Sequence, residues 1–231
     1  MHMDRRQFVK NLGLGTASLS MGSLVTASSC APSGDSSLKQ NVKEGEDGQF
    51  LFIGDDIAIA QTEYGKVQGY LLNHVYTFLG VPYGADTSGK NRFMPPQKPE
   101  PWTDVRPAVF YGNTAPQRME NRWPNNYGTF ADHWNYWDVS EDCLYLNVWT
   151  PGIADGKKRP VLVWLHGGGF TNGSGIEQDG YHGENISREG DIVFCSINHR
   201  LGPIGFSDLS GVGGEAYKDS GNVGMLDIIA A

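Results

Sequence analysis

Three successive glycines, Gly167-Gly168-Gly169, stand between His166 and Phe170 directly after the apolar run Val161-Leu162-Val163-Trp164-Leu165. Glycine lets successive backbone N–H groups turn into one cavity with no Cβ in the way, and such a cavity suits a developing negative charge. The chemistry on offer is therefore stabilisation of an oxyanion, with Gly168 and Gly169 as the candidate catalytic donors and Phe170 beside them as a candidate substrate contact. A glycine triplet taken alone also fits a surface turn. The run before it and the aromatic ring after it favour the oxyanion reading. Five bulky apolar residues behind Lys157-Lys158-Arg159-Pro160 predict a strand covered on both faces, as in a parallel sheet with helices above and below, so the glycines form a tight loop at the strand's carboxyl end.

The elements that must hold this loop follow from the flanking sequence. Residues 185–189 predict a short helix, and Asp191-Ile192-Val193-Phe194-Cys195-Ser196-Ile197 predicts a second buried strand, parallel to the first. Asn198-His199-Arg200-Leu201-Gly202-Pro203 then emerges at the same sheet edge as the glycines. Val223, Leu226, Ile229 and Ala230 mark an amphipathic helix that reaches Ala231 with no stop signal. Upstream, Ile57, Ile59, Tyr64-Gly65, Val67 and Tyr70 alternate around a turn and predict an antiparallel hairpin, and residues 74–84 predict a further extended segment. Residues 91–107 hold five prolines and no helical periodicity, which predicts an irregular wrap over the surface. Between Trp123 and Trp137, three tryptophans, Tyr127, Phe130 and Tyr136 sit among Asn, Asp and Gly. Such a cluster either covers the core as a lid or lines a pocket, and in the second case Trp134 is a candidate substrate contact.

Other chemistry-bearing residues read as structural. Glu141 and Asp142 are adjacent carboxylates, but neighbours on a strand point to opposite faces, so the pair is expected to be structural with one member bound to an arginine. His182 and His199 have no partner at metal-ligand spacing, and no metal or cofactor is expected.

The chain has 231 residues, 39% apolar and 11% aromatic, enough for one proper core. Its formal charge is −8, and beyond the first thirty residues it carries 15 basic against 25 acidic side chains. That balance argues against nucleic acid and against anionic membrane surfaces as partners. Three cysteines, at 30, 143 and 195, are too few for a disulfide framework. Residues 1–30 read as an address: Asp4-Arg5-Arg6-Gln7-Phe8-Val9-Lys10 and the weakly apolar run behind it resemble a twin-arginine export signal, which predicts a periplasmic or extracellular protein. Cys30, after Ala27-Ser28-Ser29, is a candidate lipidation site, the alternative being simple cleavage and release; the position usually held by Leu in a lipoprotein box is Ala27. Any membrane contact would run through that anchor. Residues 31–54 read as a disordered tether, and the folded part is expected to span residues 55–231.

Several of these stretches coincide with one family. Residues 141–151, beginning Glu141-Asp142-Cys143-Leu144-Tyr145-Leu146-Asn147-Val148, resemble a signature of the type-B carboxylesterases, the group that includes cholinesterases. His166-Gly167-Gly168-Gly169-Phe170 resembles their oxyanion loop, residues 198–206 their N-Y-R-L-G-x-x-G-F, and residues 221–227 their G-N-x-G-L-L-D. Gly65-Lys66-Val67-Gln68-Gly69, Phe78-Leu79-Gly80-Val81-Pro82-Tyr83 and Arg92-Phe93 also fit, so the resemblance runs in order from about Thr62 to the last residue.

The resemblance implies an α/β-hydrolase fold, here the N-terminal part of a mixed, mostly parallel sheet with flanking helices, and a carboxylic ester hydrolase acting on a small-molecule ester. The family's serine nucleophile sits on a G-x-S-x-G elbow with an acid and a histidine following. No such elbow occurs here: Gly173-Ser174-Gly175 lacks the spacing, and Ser196 and Ser220 lack the glycines. The chain is therefore expected to stop before the nucleophile and to be inactive by itself. His166 is expected to support the loop, because in the family the catalytic histidine lies far downstream. Cys143 matches a cysteine that many members pair with one upstream; none stands in residues 115–118, so a buried free thiol is expected. Arg92 and Glu141 match an internal ion pair of the family. The rival from another class is a catalytically dead binding module on the same fold, as in cholinesterase-like adhesion proteins.

Overall fold

The computed structural model describes residues 51–118 and 138–231. The export segment with Cys30, the tether as far as residue 50, and the aromatic cluster with Trp134 lie outside the described residues.

Among the described residues nine strands form two sheets: β1 (Leu51–Phe52), β2 (Ile59–Gln61), β3 (Lys66–Gln68), β4 (Tyr70–Leu72), β5 (Val75–Pro82), β6 (Arg106–Pro107), β7 (Tyr145–Thr150), β8 (Val161–Leu165) and β9 (Val193–Ile197). The large sheet has the order β1-β4-β5-β7-β9-β8, and the small one β2-β3-β6. The β2–β3 hairpin follows the alternation that predicts it, and the long β5 strand lies within the extended segment predicted over residues 74–84. Asn73 and His74 join β4 to β5 with φ of 48° and 66°, the left-handed pair that a two-residue hairpin requires. Gly80 interrupts the β5–β7 ladder between Phe78 and Val81; its φ is +64° and a Cβ there would lie 2.5 Å from the Phe110 carbonyl oxygen, so only glycine serves. Trp149 of β7 packs with Val75, Leu79 and Phe194 at the centre of the sheet and is 1% exposed. Truncating a ring so buried costs about 3–5 kcal/mol.

The predicted crossover is present. Helix α1 (Glu184–Gly190) links β8 to β9, and these two strands pair in parallel. Two short helices follow, α2 (Gly202–Phe206) and α3 (Ser210–Gly213), and then α4 (Val223–Ala230).

Four expectations need correction. The sheet is mixed, but β8–β9 is the single parallel pair in the large sheet among the described residues: its crossover through α1 keeps the two strands parallel, whereas β1–β4, the β4–β5 hairpin, β5–β7 and β7–β9 are all antiparallel. Strand β8 is not covered on both faces: it forms the sheet edge, and Val161, Val163 and Leu165 are 64%, 53% and 48% exposed. Leu51–Phe52, assigned to the tether, is a strand paired with Leu71 and Leu72. In α4 the packed face carries Val223, Gly224 and Asp227, while Ile229 is 77% exposed. Gly224 sets that face, since a Cβ there would lie 2.5 Å from the Phe206 ring and 2.8 Å from the Arg200 carbonyl oxygen.

Candidate active site

The glycine loop leaves the carboxyl end of β8 and turns sharply. Gly168, Gly169 and Phe170 have φ of 114°, 61° and 61°, and the amides of Thr171 and Asn172 both bond to the Gly168 carbonyl, at 3.1 and 3.3 Å. At Gly168 a Cβ would lie 1.9 Å from the Asn172 carbonyl oxygen, so no other residue fits. A Cβ at Gly169 would meet nothing within 4 Å, because that residue faces open space. The Gly168 and Gly169 amides donate to no group among the described residues, and both residues are exposed. Two adjacent exposed N–H groups on glycines of positive φ are suited to bind an anion or a developing oxyanion.

The loop is fastened at three points. At its far end the Phe170 carbonyl accepts the Gly202 amide at 2.7 Å, and the Phe170 ring, 54% exposed, lies 5.2 Å from that of Phe206. Gln117 clasps the return of the chain, accepting the Gly173 amide at 2.8 Å and donating to the Gly173 carbonyl at 2.9 Å. At the near end, His166 stacks on His199 with ring centroids 4.9 Å apart and planes 15° from parallel.

The 198–202 segment that receives the loop is itself locked. Asn198 bonds the Gly175 amide and the Asn113 carbonyl through its side chain, and its own carbonyl accepts the Tyr83 hydroxyl. Burial pushes the Tyr83 phenol well above its ordinary range, so it stays a donor. Arg200 and Asp227 form a fully buried ion pair: the Asp227 carboxylate accepts Nη2 at 2.6 Å, Nε at 2.8 Å and the Arg200 amide at 3.0 Å, and Nη1 donates to the Met94 carbonyl at 2.7 Å.

Among the remaining sequence candidates, Arg92 and Glu141 form a bidentate pair at 2.5 and 2.6 Å, and Asp142 instead accepts the Tyr145 hydroxyl at 2.9 Å. Cys143 is a fully buried free thiol whose pKa burial raises above the ordinary range. The three serines set aside as nucleophiles on sequence grounds are sequestered. Ser174 accepts the Ile176 amide, Ser196 the Asn147 side-chain amide and Ser220 the Leu209 amide, each serine being no more than 1% exposed. His182 packs edge-on against Trp149 at 5.1 Å, and burial lowers its pKa.

Sequence reasoning missed Gln117, the histidine stack and the Arg200–Asp227 pair. A signal for the last did exist, since a carboxylate within the apolar run Val223-Gly224-Met225-Leu226-Asp227-Ile228-Ile229 demands a buried partner.

Set beside known proteins, residues 56–231 match the sequence model of the carboxylesterase family. The chain is 40% identical over 176 residues to para-nitrobenzyl esterase of Bacillus subtilis and 43% identical over 173 residues to phenmedipham hydrolase of Pseudarthrobacter oxydans; the matches cover 75% of the chain in both cases, and 33% and 32% of those proteins. Among solved structures, an esterase from Clostridium hathewayi that can hydrolyse aliphatic aromatic polyesters superposes with a TM-score of 0.71 at 38% identity, covering 79% of this chain and 34% of its own. The chain thus spans about a third of the length of the curated relatives it matches.

Proposed function

This chain belongs to the carboxylesterase family, and from that premise we propose that it supplies the oxyanion-binding part of an exported carboxylic ester hydrolase that works by serine acyl transfer. The observation carrying this reading is the pair of exposed amides at Gly168 and Gly169, which donate to no group among the described residues, on a loop fastened at both ends. In the reaction, a serine hydroxyl adds to the ester carbonyl and its proton passes to a histidine. The carbonyl oxygen becomes an oxyanion, the alcohol leaves with that proton, and water releases the acid from the acyl-enzyme. Gly168 and Gly169 hold the oxyanion, with the amide after the serine as a third donor. Each donor lowers the barrier by about 3 kcal/mol, because the bond strengthens only as charge develops.

Phe170 carries an exposed ring at the mouth of this loop and is positioned to border the acyl or alcohol group of a small ester. The serine, acid and histidine are not supplied by these 231 residues, which contain no G-x-S-x-G, so the chain by itself does not turn over esters. The test is an exchange in which residues 56–231 replace the matching stretch of the Bacillus subtilis para-nitrobenzyl esterase. The hybrid should hydrolyse a nitrophenyl ester while the 231-residue chain should not. A folded but inactive hybrid would overturn the reading of the loop, and turnover by the 231-residue chain would overturn the assignment of the nucleophile elsewhere.

A further inference from the structure

His166 and His199 come from different parts of the sheet: His166 follows β8 and directly precedes Gly167, and His199 follows β9 and directly precedes Arg200. Their rings are nearly parallel at 4.9 Å. Each Nδ1 lies against a carbonyl oxygen, that of Gly167 at 2.8 Å for His166 and that of Arg200 at 2.9 Å for His199. A carbonyl only accepts, so each neutral ring carries its proton on Nδ1, and any second proton must go to Nε2. His199 is 3% exposed, and Arg200 beside it is held by Asp227 with both side chains fully buried. His166 belongs to the loop, where the Gly173 backbone passes so near that a Cβ would lie 2.3 Å from Nδ1. The buried His199 ring therefore forms the surface on which the His166 ring of the loop packs.

We propose that His199 is a positioning residue for the oxyanion loop, fixing His166, and through it the Gly168 and Gly169 amides, by the stack of its ring on that of His166. The proposal rests on the reading of those amides as oxyanion donors. It adds a pH sensitivity to that site. Among the described residues, the groups facing His199 are Arg200 beside it, Asp227 from α4 with its charge already matched by Arg200, and the His166 imidazole. Added charge on His199 is opposed by its burial, which holds its pKa below the ordinary value of 6.5. With the folded value below the unfolded one, the stack keeps its full strength above pH 6.5 and weakens as pH falls from there.

The test uses the full 231-residue chain and needs no turnover, so it stands apart from the fate of the oxyanion reading. Hydrogen exchange by mass spectrometry reports the loop through the bonded amides of Thr171, Asn172 and Gly202. His199→Ala should speed their exchange roughly threefold to tenfold, the range a lost ring stack implies, and leave β7 unchanged. His199→Phe keeps a ring without a titrating nitrogen; it should restore slow exchange and, unlike wild type, show no added opening at pH 5.5 once intrinsic rates are corrected. The proposal fails if His199→Ala leaves these amides as slow as in wild type, if it loosens β7 equally, or if His199→Phe does not restore protection.

Discussion

Replacing Asp227 by Ala removes the single anion that matches Arg200 in a place from which water is excluded. Both side chains are 0% exposed, and the carboxylate accepts three hydrogen bonds from Arg200, at 2.6, 2.8 and 3.0 Å. Without it the guanidinium keeps one partner, the Met94 carbonyl at 2.7 Å. Stranding a buried charge in this way costs about 3–5 kcal/mol, where removing an exposed pair would cost under about 1 kcal/mol. Since the whole stability of a domain is about 5–15 kcal/mol, the variant sits at the edge of folding. The assay is urea unfolding of the full chain with Asp227→Ala, Arg200→Met and the double variant Arg200→Met/Asp227→Leu. The two single changes should lower the midpoint steeply, while the double change, which strands nothing, should recover most of the loss. A single variant within about 1 kcal/mol of wild type, or a double variant as unstable as the sum of the singles, would refute the reasoning.

Three further outcomes follow from other parts of the chain. Among the described residues strand β8 offers an unpaired edge with Val161 and Val163 exposed, so the chain should self-associate with rising concentration in sedimentation velocity, and Val163→Lys should shift it towards monomer; equal association of the variant would count against the edge as the cause. Cys143 and Cys195 are buried, and burial pushes the Cys195 thiol up to about 11 and that of Cys143 higher still, so at pH 8 neither should react with a thiol reagent until the fold is opened by denaturant; fast reaction of either in the native chain would contradict its placement. If Arg5 and Arg6 are read by a twin-arginine receptor, changing both to Lys keeps the bulk charge and should leave the protein in the cytoplasm on fractionation, whereas unchanged export would remove that assignment.

How far the sequence reaches can be judged from particular elements. The runs at β5 and β9 are visible because both are mostly buried and rich in β-branched and aromatic residues. The same logic misplaces β8, whose composition is that of a covered strand while its surroundings among the described residues leave it exposed; burial belongs to neighbours, and neighbours are not written in a five-residue run. In α4 the apolar periodicity points to Ile229, but close packing at Gly224 and the pull of Arg200 on Asp227 turn another face inward. The glycine triplet is legible because its conformation is a local property of residue type. What holds it is not, because the His166–His199 stack, the Gln117–Gly173 clasp and the Phe170–Gly202 bond each join residues more than thirty positions apart. The Arg92–Glu141 pair is just as distant and was nonetheless anticipated, through its resemblance to a family pattern and not through spacing.

The most direct test of the central claim is the turnover of the hybrid esterase when Gly168 becomes Ala. The added Cβ would lie 1.9 Å from the Asn172 carbonyl oxygen, so the loop must shift and carry its two amides away from the oxyanion. Ground-state binding makes little use of those donors, so KM should hardly change while kcat falls by about 10²–10³. An unchanged kcat, or a loss confined to KM in a hybrid with an unaltered thermal transition, would contradict the assignment of Gly168 and Gly169 as the oxyanion donors.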